Sequence, residues 1–389
     1  MITHEAMGDD GSAMTTFAGL PTPSLLVDLA RLRRNCERML AFARESGVRL
    51  RPHVKTHKCV EIARLQHGGE IGPITVSTLA EAEHFAAAGF GDILYAVPVG
   101  PGKLTRVVAL CRRIDLAVLV NDLATVDALA DAASQSGLSG RRPRVLLELD
   151  CGDGRTGLDA SGDELLALAR AVAERPSLHF AGVLTHGGHA YAATDDAAVR
   201  ASARQEHDVV VAAAERLRAA GLAVETVSLG STPTMTHAGE LAGVTEMRPG
   251  NYAFFDAFQV AHGSCGLDDA ALTVLAAIVR CDRARRRVVL DAGAIALSKD
   301  LGPRDVDPRA GFGRVLHLDG RDSGARVDRV TQEHGEVELP ADADLDAWRV
   351  GARVRILANH SCLTAAQHAE YHVIEGGDVV ATWRPARGW

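Results

Sequence analysis

The stretch Val48-Arg-Leu-Arg-Pro-His-Val-Lys55-Thr-His-Lys58 is the point from which the fold of this chain can be worked out. Apolar residues alternate with arginines at its start, which predicts a short strand, and the apolar spacing of residues 59–65 predicts a helix directly after it. Lys55 therefore lies at the carboxyl end of a strand, where parallel α/β barrels carry their catalytic groups. A lysine held there away from water has a lowered pKa, so its neutral amine can attack a carbonyl group. A single loop lysine is more often solvated, so the rest of the chain must support this interpretation.

Strand and helix patterns alternate on both sides of this stretch. Counted from Val48, eight strand patterns follow one another with helix patterns between them, up to residue 249. Several of these strands, such as residues 145–149 with the sequence Val-Leu-Leu-Glu-Leu, are almost continuously apolar, as expected when both faces of a strand are buried. The simplest closed arrangement is a (β/α)8 barrel over residues 22–262, preceded by an N-terminal segment, residues 1–21, that we expect to be partly disordered.

The pattern changes after about residue 270. Short strand patterns separated by Gly, Pro and Asp run to the end of the chain, without a convincing helix among them. We therefore expect residues 263–389 to form a second domain that is built of β strands only.

Composition limits the functions that have to be considered. The chain has 389 residues, 47% of them hydrophobic, which is enough for more than one domain. A formal net charge of −8 without a basic run argues against nucleic acid or a membrane surface as a partner. The seven cysteines have no framework spacing, so we expect reduced thiols and no disulfide. The N-terminus lacks a signal-peptide pattern and the longest apolar run, residues 270–279, is too short to cross a bilayer, so we expect a cytoplasmic protein.

Residues suited to anion binding follow the later strands of the predicted barrel. Asp150-Cys-Gly-Asp-Gly-Arg155-Thr-Gly157 combines glycines with an arginine fork, and His186 follows the next strand. The loops after the last two strands, where such barrels bind phosphate, contribute Gly230, Ser231, Thr232, Gly250 and Tyr252. Each segment alone is weak evidence. A lysine that faces a phosphate-binding loop nevertheless fits pyridoxal phosphate, a carbonyl cofactor with an anionic end.

Four motifs together resemble one known group of enzymes. They are residues 51–58 (Arg-Pro-His-Val-Lys-Thr-His-Lys), 150–157, 185–191 (Thr-His-Gly-Gly-His-Ala-Tyr) and 230–234 (Gly-Ser-Thr-Pro-Thr). They resemble the D-serine dehydratase and D-threonine aldolase group of fold type III, alanine-racemase-like, pyridoxal phosphate enzymes. The resemblance runs from about residue 22 almost to the end of the chain.

The resemblance implies roles for the candidate site residues. Lys55 would carry the cofactor as a Schiff base, Arg155 would lie near the ring oxygen and His186 near the ring. The residues that would line the phosphate are Gly230, Ser231, Thr232, Gly250 and Tyr252. Lys58 remains a competing amine on chemistry alone, and we prefer Lys55 because it ends the strand.

A candidate metal site follows a strand pattern of the second domain. If the extended conformation of residues 353–357 continues, His360 and Cys362 project from the same face and can bind one metal ion. Nitrogen and sulfur ligands suit zinc better than magnesium or calcium. A buried cysteine beside a surface histidine also occurs often by chance, without binding a metal. The resemblance supports zinc, because D-serine dehydratases of this group bind it through a His-x-Cys pair, whereas the related aldolases present His-x-Asp. Manganese and magnesium are the alternatives.

The predicted function is that of a pyridoxal phosphate- and divalent-metal-dependent lyase acting on D-3-hydroxy amino acids. D-serine dehydratase comes first, with Lys55 removing the α-proton and the metal polarising the β-hydroxyl. The alternative is a D-threonine or 3-hydroxyaspartate aldolase, for which His57 is the nearest candidate base. An amino acid racemase, which would need no metal, and a non-catalytic cofactor carrier, which would be a single barrel, are more remote. The resemblance also implies a homodimer in which the β domain of one subunit helps to close the barrel of the other.

Overall fold

The computed structural model describes residues 16–138 and 140–389, so most of the predicted N-terminal segment, residues 1–15, lies outside the described residues. The strands are β1 Ser24–Asp28, β2 Arg49–Leu50, β3 Ile74–Val76, β4 Asp92–Pro98, β5 Asp115–Leu119, β6 Arg144–Asp150, β7 Leu158–Asp159, β8 His179–Thr185, β9 Thr226–Leu229, β10 Glu246–Met247, β11 Leu272–Asp282, β12 Arg287–Leu290, β13 Gly313–Leu316, β14 Asp322–Val330, β15 Gly335–Glu338, β16 Arg353–Ala358, β17 Tyr371–Glu375 and β18 Asp378–Trp383. The α-helices are α1 Leu29–Glu45, α2 Val60–Leu65, α3 Leu79–Ala87, α4 Leu104–Cys111, α5 Leu123–Gln135, α6 Asp163–Ala173, α7 Asp196–Ala219, α8 Thr232–Thr236, α9 Ala257–Ala261, α10 Ala294–Leu297 and α11 Ser361–Gln367.

The first sheet is parallel and has helices between its strands. Its order is β2-β10-β9-β8-β6-β5-β4-β3, with the two-residue β7 added beside β6. A parallel bridge between His53 and Thr75 joins the two ends of this row. The strands β6 and β8 are buried over nearly their whole length, because side chains fill the barrel inside and helices cover it outside. The predicted eight-stranded α/β barrel is therefore confirmed.

Three of the helices around this sheet begin at side chains that cap them. Thr78, Asp122 and Asp195 each accept a hydrogen bond from a backbone N–H in the first turn of α3, α5 and α7. Such a cap fixes the residue at which the chain turns from loop to helix. The loops at the carboxyl ends of the strands consequently have defined lengths, and these loops carry the candidate site.

A buried ion-pair network links the strands at the opposite end of the barrel. Arg51 Nε lies 2.9 Å from Glu246 Oε2, and Arg51 Nη1 lies 2.7 Å from Asp92 Oδ1. Arg49 Nη2 lies 2.7 Å from the same oxygen of Glu246. Because Arg51 and Glu246 are both fully buried, loss of either partner would leave a buried charge uncompensated.

The second sheet is largely antiparallel and includes the first strand of the chain. Its order is β12-β15-β14-β13-β16-β11-β1-β17-β18. The strand β1, which precedes the eight strands counted from Val48, pairs with β11 antiparallel and with β17 in parallel. A five-residue apolar strand carries no information about its partner, so the sequence could not assign β1 to a sheet. The division of the chain at residue 262 stays a prediction.

Two short helices interrupt the C-terminal part, for which the sequence predicted strands alone. They are α10, with four residues, and α11, with seven. Helices of this length complete one or two turns, so no apolar periodicity can show in the sequence. The helix α11 is important because it contains Cys362.

One buried apolar cluster joins helices of the barrel to the second sheet. Leu32 of α1 and Ile62 of α2 belong to the same buried cluster as Val274 and Tyr371 of the second sheet. The hydroxyl of Tyr371 also donates a hydrogen bond of 2.7 Å to the backbone oxygen of His57. The segment around Lys55 is therefore held between the two sheets.

Candidate active site

Lys55 lies in a single 3-10 turn, Val54–Thr56, that follows β2. The turn is closed by a 2.7 Å hydrogen bond from the backbone N–H of Lys58 to the oxygen of Val54. Its lysine faces a cavity of about 300 Å³ whose lining includes His53, Glu148, Arg155, His186, Gly230 and Arg248. The cavity opens at the carboxyl ends of the barrel strands, as predicted for a catalytic lysine.

The cavity favours the neutral form of the lysine. The side chain of Lys55 is accessible because it projects into the cavity, and the walls of the cavity keep part of the bulk water away from its amine. Burial therefore lowers the pKa of Lys55, and the positive charges of Arg155 and Arg248 act in the same direction. A neutral amine at physiological pH is the form that can act as nucleophile or base.

Two histidines share the cavity, and their surroundings favour the neutral form of each ring. Burial, followed by repulsion from Lys55, lowers the pKa of His186 to about 3 and that of His53 well below its usual range. His186 was expected at this position, whereas His53 had no role assigned from the sequence. Both rings can accept or donate a hydrogen bond without adding positive charge beside the lysine.

Lys58, the competing amine, is engaged elsewhere. Its Nζ lies 3.1 Å from Oε1 of Glu81, whose carboxylate also accepts hydrogen bonds from Ser77 and Thr78. Lys58 is not part of the cavity lining. Of the two lysines, Lys55 is the one that a ligand in the cavity can reach.

His57 has to be corrected as a candidate base. Its ring is fully buried, with Nε2 3.1 Å from Oε1 of Gln66 and Nδ1 accepting a 3.1 Å hydrogen bond from the N–H of Cys59. Burial lowers the pKa of the ring to about 4. Because the turn at Val54–Thr56 changes the direction of the chain, His57 points into the core and no longer shares a face with Lys55.

The expected phosphate residues gather at the same end of the barrel, but not all of them can donate to a ligand. Gly230 lines the cavity, yet its N–H donates 2.9 Å to Oε1 of Glu206. The N–H of Ser231 donates 2.9 Å to Oγ1 of Thr234 in a capping box that starts α8. These two N–H groups are therefore occupied within the protein.

Thr232, Gly250 and Tyr252 connect the two neighbouring loops. The hydroxyl of Thr232 accepts a 3.0 Å hydrogen bond from the N–H of Tyr252. A Cβ on Gly250 would meet the oxygen of His53 at 2.6 Å, so only glycine lets this loop pack against the lysine turn. The side chain of Tyr252 is fully buried near Cys36, and we correct its expected place beside the phosphate. Sequence position alone could not tell which way this ring points.

Arg248 and Glu148 line the cavity and were missed by sequence reasoning. The guanidinium of Arg248 is buried and donates to Oγ of Ser228 and to the oxygen of Thr185. Glu148 accepts a 2.6 Å hydrogen bond from Thr156 and lies 3.7 Å from Arg155. The signal for Arg248 was its place directly after a strand, and that for Glu148 was a lone charge inside an apolar strand.

The cavity suits pyridoxal phosphate. Two arginines against one glutamate make its lining positively charged, which fits an anionic ligand, and Lys55 supplies an amine with a lowered pKa for a carbonyl group. The residues that line the cavity therefore fit pyridoxal phosphate, the cofactor that the sequence predicts. Lys55 and Arg248 would lie in direct contact with it.

The candidate metal residues meet beside the lysine turn. The strand β16 ends at Ala358, so the extended conformation that we expected does not continue to Cys362. His360 instead stands at the N-cap of α11 with extended backbone angles, and Cys362 is the second residue of that helix. Cys362 Sγ lies 3.3 Å from Oγ1 of Thr56, the residue next to Lys55.

The two side chains are close enough to influence each other. Burial alone would raise the pKa of Cys362, but the neighbouring His360 and Lys55 lower it overall. His360 Nδ1 lies 2.7 Å from Oδ2 of Asp300, which leaves Nε2 as the nitrogen available for a metal ion. Among residues 16–138 and 140–389 no group of three or more His, Cys, Asp or Glu could hold a metal. A nitrogen and a sulfur ligand still fit zinc, with the remaining positions left for water and substrate.

The fold and the cavity define the class as a fold type III pyridoxal phosphate enzyme. Residues 27–257 match the family model described as alanine racemase, N-terminal domain, and residues 271–374 match the putative serine dehydratase domain. The chain belongs to this family, whose characterised relatives are lyases of D-amino acids.

Three relatives are similar over almost the whole chain. The D-threo-3-hydroxyaspartate dehydratase of Delftia sp. (strain HT23) is 40% identical, over 96% of this chain and 99% of that protein. The D-serine dehydratase of Dictyostelium discoideum is 34% identical, over 95% and 98%. The D-threonine aldolase of Arthrobacter sp. is 32% identical, over 96% and 94%. A solved D-threo-3-hydroxyaspartate dehydratase, a cysteine-to-alanine mutant in the metal-free form, has a TM-score of 0.91 and 40% identity, covering 96% of this chain and 100% of that one.

Proposed function

We propose that the protein is a pyridoxal phosphate- and zinc-dependent dehydratase of D-3-hydroxy amino acids, with D-serine as the first candidate substrate. One observation carries the proposal: Cys362, paired with His360, contacts Thr56, which directly follows the cavity lysine Lys55. An amine and a metal-ligand pair thus stand side by side. Dehydration needs both, because it breaks a C–H bond and a C–O bond on neighbouring carbon atoms.

The chain's own residues divide the work in this proposal. Lys55 Nζ would hold the cofactor and, once the substrate amine has displaced it, would accept the α-proton of the substrate; a lowered pKa favours the free amine that both roles need. Arg155 and Arg248 hold anionic groups of the cofactor and substrate. When bound, pyridoxal phosphate supplies an electron sink for charge at the α-carbon. The β-hydroxyl leaves as water, and hydrolysis of the resulting imine then consumes one water and releases ammonia, so a 2-oxo acid and ammonia are the net products.

His360 and Cys362 would hold the metal ion in this proposal. Asp300 fixes the ring of His360 through Nδ1, and Thr56 and Asn251 contact the sulfur of Cys362. A bound zinc ion supplies Lewis-acid help for the departure of the β-hydroxyl. The metal-free form named for the solved dehydratase mutant supports a metal in this family. Nitrogen and sulfur ligands favour zinc over manganese or magnesium.

Aldol cleavage of D-threonine or 3-hydroxyaspartate is the second candidate. The 32% identity to a D-threonine aldolase supports it. The base that we assigned to this reaction, His57, is buried in the core, so cleavage would have to use another group. Dehydration uses groups that already stand together, and we rank it first.

Product analysis separates the two reactions. The purified protein is incubated with D-serine, D-threo-3-hydroxyaspartate and D-threonine in separate assays, and 2-oxo acids, ammonia, glycine and glyoxylate are quantified. We expect pyruvate and ammonia from D-serine, and oxaloacetate and ammonia from 3-hydroxyaspartate. Glycine or glyoxylate as the main product would replace the dehydratase proposal with the aldolase.

We also propose that the protein acts as a homodimer in the cytoplasm. Ile295, Leu301 and Leu363 are exposed apolar side chains on three segments next to the metal pair, and a second subunit would cover them. All seven cysteines are free, which suits a reducing compartment. No helix of the described part of the chain is long and apolar enough to cross a membrane. Sedimentation equilibrium tests the dimer, and a fully active monomer would refute it.

A further inference from the structure

Glu206 is a buried carboxylate that does not line the cavity but binds the loops that do. It lies in the middle of α7 and has no exposed surface. Its Oε1 accepts a 2.5 Å hydrogen bond from the N–H of Gly187 and a 2.9 Å hydrogen bond from the N–H of Gly230. One oxygen atom therefore holds two backbone groups that are 43 residues apart in the numbering of the chain.

The two glycines begin the loops after β8 and β9, which are neighbours in the barrel. Gly187 directly follows His186, and both His186 and Gly230 line the cavity. The oxygen of Gly230 also lies 3.4 Å from Nδ1 of His186. The carboxylate thus fixes the spacing of two loops whose residues face the ligand space.

The local sequence is adapted to this contact. A Cβ on residue Gly187 would meet the carboxyl group of Glu206 at 3.0 Å and Cγ2 of Thr234 at 2.8 Å. Gly230 has a φ of 117°, a conformation that other residues rarely adopt. Both positions therefore require glycine if the carboxylate is to approach the two N–H groups.

The carboxyl group of Glu206 is an ionisable group in the core. Burial raises the pKa of Glu206, while Thr234, the two N–H groups and Arg248 favour the ionised form. Its second oxygen, Oε2, is buried without a hydrogen-bond partner in the described part of the chain. Both hydrogen bonds of Glu206 therefore involve Oε1. A substitution that keeps one side-chain oxygen can preserve them, and a substitution that removes both oxygens cannot.

We propose that Glu206 is a positioning residue that holds the loops after β8 and β9 at the spacing the cofactor requires, and thereby sets the places of His186 and Gly230. This inference rests on the proposed function for the identity of the cofactor. We call the two hydrogen bonds from the N–H groups of Gly187 and Gly230 to Oε1 of Glu206 the clamp, and its existence does not depend on the proposed function.

Three variants test the proposal in the full chain. Glu206→Met keeps the length of the side chain but has no acceptor oxygen, Glu206→Gln keeps one oxygen, and Glu206→Asp is one methylene too short to reach both N–H groups. Glu215→Gln is the matched control, because Glu215 is exposed on the same helix. Far-ultraviolet circular dichroism and thermal melting establish that each variant is folded.

Hydrogen exchange of the cofactor-depleted full chain measures the clamp directly. We expect protection of residues 187 and 230 to fall at least about tenfold in Glu206→Met and in Glu206→Asp. Glu206→Gln and the control should keep it within about threefold. Unchanged protection in a folded Glu206→Met or Glu206→Asp protein would overturn the clamp.

Titration with pyridoxal phosphate, followed by absorbance, measures the consequence for the cavity. We expect the dissociation constant to rise at least about tenfold in Glu206→Met and to recover largely in Glu206→Gln. If Met does not fold, Glu206→Asp carries the same expectation. Lost protection with unchanged affinity would show a merely structural role and overturn the positioning proposal. A wild-type protein that binds no pyridoxal phosphate would refute the proposed function, while the exchange result would still decide the clamp.

Discussion

Removal of the metal should stop turnover and leave the cofactor in place. His360 and Cys362 are not part of the cavity lining, and both are held by other groups of the protein, Asp300 for His360 and Thr56 for Cys362. Depletion of the metal therefore removes the ion that would bind the substrate hydroxyl, and it leaves the contacts of Lys55 unchanged. Visible absorption of the bound cofactor should be unaffected.

The expected loss of rate follows from the task of the metal. Without Lewis-acid help, departure of a β-hydroxyl forfeits several kcal/mol, and about 4 kcal/mol corresponds to roughly a thousandfold in rate. Because His360 and Cys362 would be the two protein ligands, Cys362→Ala should lose the metal and reproduce the effect of a chelator. Cys281→Ala, at a cysteine of the same sheet outside the site, is the control and should retain full activity.

The assay combines elemental analysis, absorbance and release of pyruvate and ammonia from D-serine. The protein is treated with a chelator, shown to be metal-free, assayed, and assayed again after zinc is restored. Cys362→Asp extends the test, because an oxygen ligand favours harder metals and should replace zinc dependence by manganese dependence. Metal-free protein that deaminates D-serine at the untreated rate would show that the His360–Cys362 pair is structural and that the mechanism is wrong.

Three further outcomes are expected. Lys55→Ala should lose the visible absorption of the cofactor, whereas Lys58→Ala should keep it; the opposite spectra would assign the cofactor to Lys58. Thr56→Val removes only the hydroxyl beside Cys362 and should weaken metal binding about tenfold in a competitive chelator titration; an unchanged affinity would make the contact irrelevant. Burial alone would raise the pKa of Glu246, but its arginine partners lower this pKa to about 2. Because the pKa in the unfolded chain is 4.5, the ionised Glu246 stabilises the fold above pH 4.5 by about 3 kcal/mol. This stabilisation is lost as pH falls towards 2, so the melting temperatures of wild type and Glu246→Gln should converge at low pH in calorimetry, and a pH-independent difference would contradict the assignment.

The barrel could be predicted because its strands are short apolar runs with clear ends. Both ends of β8 and β9 were predicted correctly, since turn residues flank them. The sheet to which β1 belongs could not be predicted, because its partners β11 and β17 lie more than 240 residues further along the chain. Local patterns report which faces of a strand are apolar, and they do not report what covers them.

The candidate site was predictable by position and not by orientation. Residues 53, 55 and 57 alternate as if they shared one face, and the turn at Val54–Thr56 breaks that alternation, so His53 joins Lys55 while His57 enters the core. Likewise, the sequence placed Gly230 beside a phosphate but could not show where its N–H points. This N–H donates to Glu206 of α7, a partner that no local motif indicates.

The lysine turn fits a lyase better than a racemase. Lys55 faces the cavity, Thr56 contacts Cys362, and the oxygen of His57 accepts a hydrogen bond from Tyr371 of the second sheet. Three consecutive residues thus join the cofactor cavity, the metal pair and the neighbouring sheet. A racemase would gain nothing from the contact between the lysine turn and a His-Cys pair, because it breaks no bond at the β-carbon. A lyase that removes a proton at one carbon and a hydroxyl at the next needs the two groups at a fixed separation, and a rigid turn between two sheets provides it.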